Sequence, residues 1–60
     1  MNGFIGKNAK ECRVNDIIVI GGKIKKIRCV NPTPEGKFVW VLSDKTTLTI
    51  PANIKVLVQK

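Results

Sequence analysis

The sequence predicts an all-β domain, a small barrel of five short strands, on three observations. Its apolar residues fall in short β-branched runs such as Ile17-Ile18-Val19-Ile20 and Thr46-Thr47-Leu48-Thr49-Ile50, which are poor helix material. Turn-forming clusters, Gly21-Gly22, Asn31-Pro32-Thr33-Pro34-Glu35-Gly36 and Ser43-Asp44-Lys45, separate those runs at short intervals. No segment carries an apolar stripe at i, i+3, i+4 long enough for a helix. A closed or nearly closed barrel follows from the apolar character of the strands, because an open sheet leaves long apolar edges.

Taken in order, residues 1–10 (Met1 to Lys10) read as a flexible N-terminal arm. They hold two glycines, two asparagines and two lysines, with only Phe4 and Ile5 as sizeable apolar anchors. Residues 11–60 form the barrel domain, since sixty residues leave no room for a second. The first strand is Ile17–Ile20. Gly21-Gly22 tolerates positive φ at both positions and makes a tight hairpin. The return strand runs from Lys23 to Val30, and its alternation breaks at Lys25-Lys26, where an extra residue reads as a β-bulge that curls the barrel. The two prolines of Asn31–Gly36 lack ladder donors, so this segment is a loop. In the third strand, Lys37–Leu42, the pleat puts Phe38, Trp40 and Leu42 on one face and Lys37, Val39 and Val41 on the other. Thr46–Ile50 is the fourth strand and Ile54–Val58 the fifth. Pro51-Ala52-Asn53 between them reads as one turn of 3₁₀ helix before the last strand.

Two local patterns resemble known families. The strand–break–strand Thr47-Leu48-Thr49-Ile50-Pro51-Ala52-Asn53-Ile54 resembles the end of SH3-like barrels, where a single 3₁₀ turn joins the last two strands. Cys29-Val30-Asn31-Pro32-Thr33-Pro34-Glu35-Gly36, continued by Val39 and Pro51, is similar to the plasmid-borne type II dihydrofolate reductases, SH3-like barrels that work as tetramers around one pore. That resemblance runs with gaps from Asp16 to Pro51 and implies the fold and a homo-oligomer. It does not imply the activity. The family's Gln-Ile-Tyr signature falls on Leu48, Thr49 and Ile50, and its pore lysine falls near Ile20. Lys23-Ile24-Lys25-Lys26-Ile27 with Lys37-Phe38-Val39-Trp40 also resembles, in surface type, the basic strands that small archaeal chromatin proteins lay across DNA.

Charge is the most informative bulk property. Eleven lysines and arginines oppose four carboxylates, for a net charge of +7. Residues 1–30 hold seven of the cations and two of the carboxylates, a net of +5, and the second half nets +2. Such a field attracts polyanions. On the return strand Lys23, Lys25 and Arg28 would share the solvent face, beside Lys26, with Arg13 and Lys37 widening the stripe. These six are the candidate phosphate contacts of a nucleic-acid-binding module, DNA or RNA. The plainer readings are solubility and lysine protection of an edge strand. Trp40, as the largest side chain of a tiny domain, belongs in the core, which turns Val39 and Val41 outward as an apolar strip for a subunit or protein partner. On a binding face Trp40 would instead stack on a base. The second functional reading is therefore a protein-interaction or inhibitor module, of the kind phages and plasmids encode, covering an acidic protein surface. The third is a divergent relative of the reductases.

Enzyme readings fare badly. The chain has no His and no Tyr, its single serine is Ser43 in a turn, and Glu11, Asp16, Glu35 and Asp44 are isolated from one another in sequence. Cys12 and Cys29 lack metal-ligand spacing, so no metal and no cofactor are expected. Cys29 reads as a small buried hydrophobe, and one bridge between the two cysteines is open. No apolar run reaches the length of a membrane span or a signal sequence, and the expected location is the cytoplasm.

Overall fold

A computed structural model of the chain describes residues 3–60. Six antiparallel strands make one sheet in the order β1-β6-β2-β3-β4-β5. They are β1 (Phe4–Asn8), β2 (Ile17–Ile20), β3 (Lys23–Pro32), β4 (Lys37–Leu42), β5 (Thr47–Pro51) and β6 (Lys55–Gln59). The all-β expectation holds, and β2 and β4 have the bounds that the sequence gives them.

The five-stranded, closed or nearly closed barrel is corrected in two respects. Residues 4–8 of the expected arm are a strand, in register with β6 from Phe4 opposite Gln59 to Asn8 opposite Lys55. The Lys60 N–H extends this ladder to the Gly3 carbonyl at 2.7 Å. Only Phe4 and Ile5 of Phe-Ile-Gly-Lys-Asn favour a strand, and the rest of its order comes from a partner at the opposite end of the chain. Met1 and Asn2, the first residues of the arm, lie outside the described residues. The sheet is also open, with β1 and β5 as its two edges. Individual backbone bonds tie its ends together where a closed barrel has a ladder. The Ala9 N–H reaches the Ile54 carbonyl at 2.8 Å and the Lys10 N–H reaches Ala52 at 3.0 Å. The 3₁₀ turn expected at Pro51–Asn53 is a simple hydrogen-bonded turn, and the 3₁₀ turn lies instead at Ala9–Glu11.

β3 organises the molecule. Its first four residues pair with β2 and the rest pair with β4, so the sheet folds over along this strand. The Gly21-Gly22 hairpin that launches it has φ of 57° and 77°, the conformation glycine adopts without steric cost. The bulge is not at Lys25-Lys26. The register shifts between Ile27 and Cys29, which makes Arg28 the extra residue. Alternation therefore continues unbroken from Lys23 to Ile27, and the expected faces reverse at Lys23, Ile24 and Lys25, while Arg28 is exposed as expected. Lys25 lies opposite buried Ile18 on the inner side, while Ile24 is outward and 61% exposed. A lysine is tolerated there because its ammonium reaches the Asp44 carboxylate at 2.8 Å at the rim of the core.

The core gathers Ala9, Cys12, Ile18, Ile27, Trp40, Leu42, Ile50, Val56 and Val58, with Ile20, Val30, Phe38 and Leu48 packed against it. Cys12, not Cys29, is the buried thiol. The bulge carries Cys29 to the surface, and both cysteines are free. Asn31 and Pro32 extend β3, which shortens the expected loop to Thr33–Gly36, closed by a Gly36 N–H to Thr33 carbonyl bond of 3.2 Å.

Candidate nucleic-acid interface

Strand alternation turns Lys26 outward. The bulge then leaves both Arg28 and Cys29 exposed, where a regular ladder would have turned one of two neighbours inward. Ser43 fastens the next hairpin beside them: its N–H donates to the Lys26 carbonyl at 2.8 Å, and its Oγ accepts the Lys26 N–H at 3.2 Å. This hairpin has three loop residues. The Lys45 N–H closes the turn onto the Leu42 carbonyl at 2.9 Å, and Lys45 itself sits at φ 71°. Left-handed backbone at this position usually falls to glycine. Here it carries an exposed lysine beside Arg28. Arg28, Cys29, Val41, Leu42, Ser43 and Lys45 line an open cleft of about 270 Å³.

Three of the four carboxylates are engaged elsewhere. Asp44 holds Lys25 and also accepts the Thr46 N–H at 3.1 Å and the Thr46 hydroxyl at 2.6 Å. The Lys25 ammonium, followed by these Thr46 bonds, keeps the Asp44 carboxyl well below the usual carboxylate range. Glu11 accepts the Asn8 N–H and Asp16 accepts the Arg13 N–H, each within its own turn. Among the described residues, Lys25–Asp44 is the sole salt bridge. Lys26, Arg28 and Lys45 have no carboxylate partner.

The six basic residues expected from the sequence therefore divide. Lys26 and Arg28 are both exposed on the outer side of β3, two residues apart. Lys25 is drawn inward and neutralised. Lys23 is exposed next to the glycine turn, roughly 10 Å along β3 from Lys26 at about 3.3 Å per residue. Arg13 belongs to the loop that bonds to the other edge of β3, through the Asn15 N–H on the Ile27 carbonyl at 2.8 Å. Lys37 lies opposite Pro51 at the far end of β4, roughly 13 Å from Val41.

Val39 and Val41 do face outward, half-buried, in cross-strand rows with Asn31 and Thr49 and with Cys29 and Thr47. Trp40 does not. It is fully buried, its indole N–H has no hydrogen-bond partner, and no stacking role is open to it. Phe38 shares its inner face, so the outer face of β3–β5 carries cationic donors without an aromatic platform. Lys45 was not among the expected residues. The signal for it was the three-residue loop between strands, whose last position needs the left-handed conformation.

No group of three or more His, Cys, Asp or Glu that could hold a metal ion occurs among the described residues. No helix there is long and apolar enough to cross a membrane. Comparison with protein-family models, with characterised proteins and with solved structures finds no match to this chain.

Proposed function

We propose that this chain is a small nucleic-acid-binding module, an SH3-like barrel variant with an open sheet, which holds phosphates through Lys26, Arg28 and Lys45 and performs no catalysis. The observation that carries the reading is the pairing of Arg28 with Lys45 on one cleft at the β3 bulge, with Lys26 outward two residues earlier on the same strand, while Glu11, Asp16 and Asp44 are bound to their own turns or to Lys25. An arginine fork matches the geometry of a phosphate, and two lysines add charge without sequence readout. Sequence specificity is low on this reading, because contacts to phosphates carry no sequence information. A cytoplasmic location fits a polyanion partner of this kind. The resemblance to the type II reductases contributes fold alone: Ile50 of the would-be signature is buried in the core and Leu48 is packed against it.

Titration with duplex DNA, single-stranded DNA and RNA at several salt concentrations tests the proposal. Three phosphate contacts give a slope of about −2.7 for log K against log salt on duplex DNA. Binding that is absent at low salt, or indifferent to salt, overturns it.

A further inference from the structure

The other half of the sheet has an outer face that phosphate binding uses only at its border, through Lys26. The ladders align Gly6, Leu57, Val19 and Ile24 in one row across β1, β6, β2 and β3. Ile17, opposite Lys26, lies beside this row on the same face. Ile24 is 61% exposed and Leu57 44%. β2 is apolar on both sides, Ile18 and Ile20 inward and Ile17 and Val19 outward, the composition of a strand covered on both faces. Its inner side is covered by the core. No element of the described residues covers its outer side.

We infer that this row docks a segment of another protein in which apolar side chains are flanked by carboxylates. The charge around the row selects that occupant. Lys26 and Lys55 project from the same face, and none of the four carboxylates does: Asp44 is bound to Lys25 on the inner side, Glu11 and Asp16 serve the turns before β2, and Glu35 is in the β3–β4 loop. A two-fold contact with a second copy presents the same patch from both sides, so these lysines would meet a surface of their own sign, on chains that each carry +7. Apolar anchors with an acidic rim satisfy both features. At the β1 end the row drops to bare backbone at Gly6, where even an added Cβ would meet nothing within 4 Å, which leaves a step for a partner side chain.

The test follows amide shifts of the isotopically labelled full chain titrated with a synthetic peptide of alternating glutamate and leucine. A peptide of alternating glutamate and serine, and duplex DNA, are run in parallel. The expected result is that the leucine peptide shifts Val19, Ile24 and Leu57 and binds at least tenfold more tightly than the serine peptide. Leu57→Asp then weakens it at least tenfold, whereas Arg28→Gln changes it less than twofold. Should Leu57→Asp fail to fold, Ile24→Thr, at the more exposed position, carries the same comparison. Equal affinity for the two peptides overturns the inference, as do leucine-peptide shifts confined to the Arg28–Lys45 cleft. DNA shifts along the same row overturn it too, and so does a concentration-dependent dimer that Ile24→Thr abolishes, since a different occupant then holds the face.

Discussion

Lys45→Gly separates the two consequences of placing a lysine at a left-handed position. At φ 71° a side chain crowds its own backbone, at a cost of about 1–2 kcal/mol for an L-residue. Glycine removes that crowding but loses about 0.5–1 kcal/mol through its greater freedom in the unfolded chain. The net gain is about 0–1.5 kcal/mol, with a midpoint of about 0.75. The turn itself survives the substitution, because Asp44 brackets it from the side by accepting both the N–H and the hydroxyl of Thr46. In a domain this small, thermal unfolding should rise by roughly 3–8 °C. Binding should move the opposite way. Losing one phosphate contact reduces the salt slope by about 0.9 and weakens duplex DNA binding about eightfold at 0.1 M salt. Lys45→Gln is the control, removing charge while keeping a side chain at the same φ, and it should weaken binding equally with no gain in Tm. The assays are thermal unfolding by circular dichroism and fluorescence anisotropy on labelled duplex. A Lys45→Gly chain that melts lower than the parent, or binds DNA as tightly as it does, refutes the reasoning.

Three further outcomes follow from the packing. Thiol labelling of the folded chain should modify Cys29 rapidly and Cys12 only on unfolding, since Cys12 is 5% exposed and burial, with Asp16 nearby, raises its pKa; equal rates at the two sites contradict the position of the bulge. Ile27→Ala should cost about 2–5 kcal/mol, a large part of the roughly 3–9 kcal/mol that a chain of this length holds, while Ile24→Ala should cost under about 1 kcal/mol; denaturant melts with matching losses would mean that the β3 faces are misassigned. The depressed pKa of Asp44 adds stability that is complete above about pH 4 and shrinks as the pH falls toward the folded-state value, so Asp44→Asn should narrow the difference in Tm between pH 7 and pH 3; an unchanged difference shows that the Lys25 contact is not formed in solution.

Much of the fold was legible because its signals are local. Ile17–Ile20, the double-glycine hairpin and Lys37–Leu42 each declare themselves within a few residues, and the Phe38-Trp40-Leu42 alternation located the inner face. β1 was not legible, since Phe4–Asn8 becomes a strand only against β6 at the other end of the chain. The face of β3 was misread for a definable reason. Lys25-Lys26 breaks the apolar alternation, and a bulge there is the economical explanation when no partner for Lys25 is known. Asp44, nineteen residues away in sequence, supplies that partner, and the ladder runs on to Arg28 before it slips. The candidate site shows the same limit. Charge pointed to β3, but which cations stand together is decided by register and by one hairpin. Lys25 leaves the group and Lys45, read only as part of a turn, joins it.

The central claim is that phosphate binding belongs to one cluster and not to the net charge of +7. Two triple variants of equal charge decide between these: Lys26→Gln, Arg28→Gln, Lys45→Gln against Lys10→Gln, Lys37→Gln, Lys60→Gln, each titrated with duplex DNA across a salt series. The clustered set should lose about 2.7 of the slope and nearly all of the affinity, and the dispersed set less than about 1. Equal losses from the two sets would contradict the assignment.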